Sequence, residues 1–266
     1  TNVTEHVKIG DAPADFQRLA PSFTVSLQPW QEQLLFLRLM YKSTFRMPTF
    51  NDLYYYRLGN RSLRPEKANE YNMGITWSRS FSSFLNYLSV TVDGYYNDVT
   101  DKIVAFPTTY AWKMANYGKV HVTGMDATLA AAASLGKNMV LVVSGGYTWQ
   151  KAIDLTDATS KSYKDQLPYT PKHSGNVSAV LEMPWVNVGY SIVGVSERYS
   201  MSQNIPENRI DGYMEHTVSL SRNFSFRHCK LRLQAEIINL TDTQYDVIKY
   251  YPMPGRSWRL TGTIEF

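Results

Sequence analysis

The sequence predicts an all-β fold: an antiparallel up-and-down transmembrane β-barrel of about eleven strands, each with one side toward lipid. Three observations predict it. Period-2 alternation of apolar and polar residues recurs from one end of the 266 residues to the other, and helical spacing hardly appears. Many alternating segments hold at least eleven residues, where soluble strands usually have about five or six. The connections between segments alternate between short and long.

In chain order the segments are 16–27, 33–45, 66–79, 86–103, 115–134, 138–153, 171–183, 186–200, 211–223, 229–240 and 255–266, with edges uncertain by a few residues. The second segment carries Leu35, Leu37, Leu39 and Tyr41 on one side. In the fourth, Leu88, Val90, Val92 and Tyr96 oppose Ser89, Thr91, Asp93 and Asn97. The sixth alternates Met139, Leu141, Val143, Tyr147 and Trp149 with smaller or polar residues, and the seventh does so with Val177, Ala179, Leu181 and Met183. The tenth sets Leu231, Leu233, Ala235 and Ile237 against Lys230, Arg232, Gln234 and Glu236. The last sets Trp258, Leu260, Gly262, Ile264 and Phe266 against Arg259, Thr261, Thr263 and Glu265.

Odd-numbered connections are short ("QPWQE", "SFSSF", "LGKN", "EMPW", "NFSFRHC"), and even-numbered ones, 46–65, 104–114, 154–170, 201–210 and 241–254, are long. A sheet with turns at one rim and loops at the other sorts its connections this way. A bilayer-spanning strand needs about 9–11 residues, and a β structure in hydrocarbon must close on itself to pair its backbone. Trp30, Trp77, Trp185 and Phe266 fall at the turn ends, with Trp149, Trp258 and Tyr41 toward the loop ends, like the two aromatic girdles of a membrane barrel. The alternative is that these rings pack the core of a soluble β-sandwich.

Composition narrows the function. Aromatics make up 14% of a chain whose mean hydropathy is −0.32, and no apolar run is long enough for a transmembrane helix. Lys and Arg are spread along the chain at a net charge of +4, which argues against a nucleic-acid partner. Cys229 is the sole cysteine, so no internal disulfide and no cysteine metal set is expected. The first ten residues do not read as a signal peptide, so the chain starts as a cytoplasmic-type protein does, after processing, or inside something larger. A one-chain antiparallel barrel closes with an even strand number. Eleven strands therefore predict an incomplete barrel with residues 1–13 on the loop side.

Three stretches resemble the TonB-dependent outer-membrane receptors. They are "FRMPTFNDLYYYRLGNRSLRPEKANEYNMGI", the pair "VTVDGYYNDVTDKI" and "ANYGKVHVTGMDATL", and the C-terminal "INLTDTQYDVIKYYPMPGRSWRLTGTIEF". The resemblance implies a 22-stranded barrel in the outer membrane of a Gram-negative bacterium, filled by an N-terminal plug and importing a scarce nutrient with energy delivered through TonB. No plug and no TonB-contacting box are recognisable, so residues 1–266 are read as the C-terminal half of such a barrel. Its implied partners are outer-membrane lipid, the N-terminal half with its plug, TonB through that plug, and a small-molecule nutrient: a siderophore, haem, cobalamin or a glycan. A complete porin or structural barrel of ten to twelve strands is the second reading, and a soluble β-sandwich binding module the third.

Within the first stretch, Phe45, Arg46, Pro48, Asn60, Leu63, Pro65 and Glu66 match the family box. Similar boxes in haem receptors enclose an iron-ligating His; here none intervenes, which leaves Tyr54, Tyr55 or Tyr56 as possible phenolate ligands, or a box that only shapes two strand ends. Aromatic residues in the long loops, Tyr54, Tyr55, Tyr56, Tyr110, Trp112, Tyr250 and Tyr251, suit a flat or amphipathic ligand that stacks on rings; packing of loop on loop is the competing role. His121, His173 and His216 fall on different strands with no Ser motif or fixed acid nearby in sequence, so neither catalysis nor a resident cofactor or metal is expected. The terminal Phe266 resembles the signal read by the outer-membrane assembly machinery.

Overall fold

The computed structural model describes residues 19–30, 34–56, 58–82, 84–107, 112–136, 138–227 and 229–266. In chain order its strands are β1 (Ser22–Leu27), β2 (Leu34–Arg46), β3 (Glu66–Ser80), β4 (Leu85–Pro107), β5 (Trp112–Gly136), β6 (Met139–Asp154), β7 (His173–Glu182), β8 (Asn187–Val195), β9 (Arg198–Tyr199), β10 (Arg209–Ile210), β11 (Tyr213–Ser225), β12 (Lys230–Ile238), β13 (Asp246–Ile248), β14 (Tyr251–Pro252) and β15 (Ser257–Glu265). One helix, α1 (Phe50–Tyr54), lies between β2 and β3.

Eleven strands form one sheet in the order β1-β2-β3-β4-β5-β6-β7-β8-β11-β12-β15, every neighbour antiparallel. These are the eleven strands the alternation predicts. The sheet edges are β1 and β15, which run in the same direction because the count is odd, so they cannot close antiparallel on each other. The described part of the barrel is open. β9–β10 and β13–β14 are small ribbons; β10, β13 and β14 fall in the predicted long loops, whereas β9 falls at the end of the predicted segment 186–200.

Register sorts the side chains into two faces. Starting from Leu37, successive partners Ile75, Val92, Ala127 and Tyr147 put one apolar face outward across β2 to β6. At the other end, Val218, Ile237 and Trp258 continue it through β11, β12 and β15. Large side chains stand free there: Leu260 is 81% exposed and Met73 67%. The total accessible surface of 17723 Å² compares with roughly 12,000 Å² for a compact soluble chain of this mass, so most of the apolar face has no protein cover. That rules out two sheets packed face to face.

The inward face is polar and hydrogen-bonded across strands: Thr76 to Thr91 at 3.1 Å, Ser78 to Ser89 at 2.8 Å, and Arg38 to Asp93 at 2.9 Å. Near the loop end it changes character. Ala68, Val99, Val120, Val122 and Ala152 become a small core covered by Leu167 of the β6–β7 loop. Leu53 and Leu63 of the β2–β3 loop cover Ile103 and Met114. The loops roll inward over the mouth. Sizeable differences from the predicted boundaries lie at three places: β1 starts at Ser22 rather than 16, with residues 1–18 outside the described ones; β8 ends at Val195 rather than 200; and β4 and β5 reach Pro107 and Trp112, where the β2–β3 loop packs on Met114.

Candidate functional site

The loop-side mouth is built first by the residues of the "FRMPTF…NRSLRPE" stretch. Pro48 ends β2, and Thr49 caps α1 by accepting the Asp52 amide at 3.2 Å while the Asp52 carboxylate accepts the Thr49 amide at 2.9 Å. The buried Asp52 carboxylate also accepts from Arg46 Nη2 at 3.0 Å, and Arg46 Nη1 lies 3.7 Å from Glu66. Glu66 accepts the amide of Ile103 at 3.0 Å. Asn60 donates to the Met114 carbonyl at 3.0 Å, and Asn116 holds both the amide and the carbonyl of Arg64, at 2.8 and 3.0 Å. The Arg64 guanidinium meets Asp101, itself at φ 55°, at 2.6 Å. Gly59 is required where it stands, since a Cβ would lie 2.7 Å from the Leu53 and Tyr54 backbone. Leu63 and Pro65 are buried, Pro48 is half-buried, and Phe45 is a half-buried residue of β2. The box therefore fastens the β2–β3 loop to the β4–β5 hairpin. Asp52, Asp101 and Asn116 complete it; Thr49-x-x-Asp52 was the sequence signal available for the first of these.

The ring residues separate into groups. Tyr54 packs on Phe50 at 5.0 Å with the Arg61 guanidinium 5.6 Å from its ring, while Tyr55 and Tyr56 are 59% and 79% exposed. Tyr110 lies outside the described residues. Trp112 packs on Tyr169 of the β6–β7 loop at 5.9 Å, and burial raises the pKa of the Tyr169 phenol. Next to Lys249, Tyr250 and Tyr251 are 82% and 70% exposed. The Trp112–Tyr169 contact thus joins the β4–β5 and β6–β7 connections, and the Lys249–Tyr250 and Tyr54–Tyr56 groups stand apart from it. Tyr169 belongs to a "PYTP" segment that alternation gives no reason to single out.

Behind these rings lies a buried polar knot. Arg198, only 4% exposed, donates to the carbonyls of Asp246 and Val247 at 2.6 and 3.0 Å and sits 5.8 Å from the Tyr213 ring. Tyr213 stacks on Tyr245 at 3.9 Å, and the Tyr245 hydroxyl donates to Glu215 at 2.6 Å. Burial, reinforced by that carboxylate, pushes the Tyr245 phenol well above its ordinary pKa, so it stays a proton donor. The C-terminal motif closes the same loop. Asn239, fully buried at φ 53°, donates to the carbonyls of Thr243 and Pro254 and accepts the Thr243 amide, while Asp242 accepts the Arg256 amide at 2.8 Å.

The histidines are not isolated. Tyr147 and Tyr190 meet Nδ1 of His173 and His216, each at 2.7 Å, and Tyr96 reaches His121 at 3.3 Å. His121 Nε2 also lies 3.2 Å from Asp98. All three pairs are on the outward face. Phe266 follows β15 and is fully exposed.

Comparison with known proteins agrees with this architecture. The family model described as TonB dependent receptor-like, beta-barrel, matches residues 2–240. The vitamin B12 transporter BtuB of Photobacterium profundum is 26% identical over 230 residues, which are 84% of this chain and 34% of that transporter. BtuB of Vibrio vulnificus is 26% identical over 231 residues, 84% of this chain and 33% of its own length. Among solved structures, the unliganded ferric citrate transporter FecA aligns with a TM-score of 0.71 at 16% identity, covering 91% of this chain and 37% of FecA. The ferric-catecholate import receptor Fiu from K12 E. coli aligns at 0.63 and 20% identity, over 91% of this chain and 34% of Fiu. The two structural likenesses bear on fold alone. The chain spans about a third of the length of the curated relatives it matches.

Proposed function

This chain belongs to the TonB-dependent receptor β-barrel family, and on that premise we propose that it is the C-terminal half of the barrel of a receptor that actively imports a scarce nutrient across the outer membrane of a Gram-negative bacterium. The observation that carries the reading is the pairing of one uncovered apolar face with one polar, cross-linked face along the same eleven strands. In this reading the rest of the protein supplies the N-terminal half and the plug, TonB acts through the plug, and this half contributes wall and mouth rather than chemistry.

The ligand class that fits the mouth is flat and amphipathic: a corrin, a siderophore, haem or a glycan. Exposed Tyr55, Tyr56, Tyr250 and Tyr251 offer ring faces, and Trp112 a partly exposed one. Tyr110 remains a contact candidate on sequence grounds. Tyr54 is engaged with Phe50 and Arg61, so it acts by positioning its neighbours. The family box acts in the same supporting way, by holding the loop that presents Tyr55 and Tyr56. Similarity to two vitamin B12 transporters makes cobalamin the first ligand to try.

The test is equilibrium binding and energised uptake by the full-length protein, with cobalamin, a ferric catecholate and haem, in cells with and without TonB. The proposal expects one ligand to bind and to be taken up only with TonB. Tyr250→Ala with Tyr251→Ala should weaken binding by about 1–3 kcal/mol, from two lost ring contacts of about 0.5–1.5 kcal/mol each. TonB-independent passage of unrelated small solutes would favour a porin instead. Deleting Phe266 should lower the amount of receptor in the outer membrane while leaving the affinity of the inserted fraction unchanged.

A further inference from the structure

The outward face is not uniform along β3, β4 and β5. From the turn side to the loop side its register rows run Ile75–Val92–Ala127, then Met73–Gly94–Met125, then Tyr71–Tyr96–Thr123, then Asn69–Asp98–His121, and last Lys67–Thr100–Lys119. Apolar residues thus give way to phenols, then to an imidazole, then to two ammonium groups. Six residues of strand separate the Gly94 row from the lysine row, about 20 Å along the strand and about 15 Å toward the membrane surface at a barrel tilt near 40°.

Gly94 makes a notch in this face. Two hollows meet there, of about 490 and 440 Å³, sharing Leu39, Met73 and Gly94. The deeper-lying hollow is walled by Val25, Leu37, Ile75 and Met125, the other by Phe23 and the tyrosines Tyr41, Tyr71 and Tyr96. Those three rings pack side by side, at 5.1 and 6.2 Å. A Cβ on Gly94 would meet nothing closer than the Met73 carbonyl oxygen at 4.0 Å, so the absence of a side chain leaves open volume rather than relieving a clash.

Charge is sorted as well. By strand alternation Glu66, Glu70, Asp93, Asp126, Asp154, Glu215 and Glu236 face inward, and Asp98 is the acid on the outward rows, held by His121 Nε2 at 3.2 Å. Lys67 and Lys119 are exposed, and among the described residues no carboxylate pairs with either. Asp98, beside His121, is thus the one acid on these five rows, and two lysines stand at their loop-side rim.

We propose that the Gly94 groove seats an acyl chain of a phosphorylated glycolipid of the outer leaflet, with Lys67 and Lys119 holding its phosphate and Tyr41, Tyr71 and Tyr96 lining the passage between them. The inference rests on the bilayer-facing reading of this sheet. The order along the strands is the order of such a lipid, acyl chain, then polar linkage, then anion. A neutral lipid matches the groove but brings no anion to the two lysines, and a zwitterionic one brings a single phosphate whose charge its own ammonium offsets.

Full-length protein in detergent is given bisphosphorylated lipid A, its dephosphorylated form, or phosphatidylethanolamine, and the lipid retained after washing is counted by native mass spectrometry. Wild-type protein is expected to keep the phosphorylated form on the order of tenfold better than the other two, given about 1 kcal/mol per basic residue at an anionic surface. Gly94→Leu, which fills the groove, and Lys67→Gln with Lys119→Gln should each remove that preference. Arg232→Gln, on the inward face of β12 and away from the groove, should keep it. Equal retention of the three lipids, or wild-type retention by both groove and lysine variants, overturns the proposal. In parallel, brominated acyl chains should quench the tryptophan fluorescence of wild type and variants alike. Absence of quenching in the wild type would instead overturn the bilayer-facing reading underneath.

Discussion

The mouth and the middle of the wall are made from the same strands, yet they treat an apolar side chain in opposite ways. At the mouth, Val120 is fully buried and Leu53 and Leu63 are 6% and 8% exposed, because loops fold back onto the inward face. In mid-wall, Met73 and Leu260 remain 67% and 81% exposed on the outward face. The contrast teaches that alternation along a strand states which side is apolar, not what covers it. Protein covers the first set. For the second the candidate cover is lipid, and substitutions distinguish the two.

The largest effect is expected at Val120. Val120→Asp leaves an uncompensated charge under the β6–β7 loop, a loss of about 3–5 kcal/mol, read as a lower unfolding temperature in any detergent. Its neighbour Lys119 faces out, and Lys119→Gln should leave stability unchanged within about 0.5 kcal/mol. Met73→Arg comes next and acts only through the bilayer. It should cost about 2–4 kcal/mol in unfolding from lipid vesicles if it lies near the midplane, and much less in a detergent whose surface is thin and deformable. An equal loss in both media would say that protein covers Met73.

Asn239→Ala ranks third. It strips partners from the half-buried Thr243 amide and from two carbonyls, at about 1–3 kcal/mol, and should show as faster proteolysis of the 239–256 loop with the sheet intact. Arg38→Gln is the smallest. Its ion pair with Asp93 is close to half exposed at both ends, so the loss should stay below about 1 kcal/mol and shrink further in salt.

How much of this was legible depends on whether a feature is local. Strands are local: the apolar series Leu35, Leu37, Leu39, Tyr41 and the polar ladder of "RLTGTIEF" each announce a face within one segment, and the eleven segments found this way are the eleven strands of the sheet. The Tyr–His pairs are not local. Tyr147 and His173 stand 26 residues apart, and only the register that sets β7 beside β6 brings them into contact, so three histidines that look solitary in sequence are partnered. The extension of β4 and β5 was hidden for the same reason, since Met114 looks like a loop residue until Leu53 and Leu63 are seen on top of it and of Ile103. At the mouth, Arg198 and Tyr169 carried no sequence signal, because a buried arginine bonded to carbonyls is defined by its surroundings and not by its neighbours in the chain.

The most direct measurement is a nitroxide scan of β15 in the full-length protein inserted in vesicles, with Cys229 replaced by Ser and one cysteine placed in turn at each position from 257 to 265. Collision with oxygen dissolved in the bilayer and with a water-soluble nickel chelate should alternate residue by residue. Positions 258, 260, 262 and 264 should favour oxygen, and 259, 261, 263 and 265 the chelate. If both sets instead report water, or both report protein burial, the outward face does not meet lipid and the account of this wall is wrong.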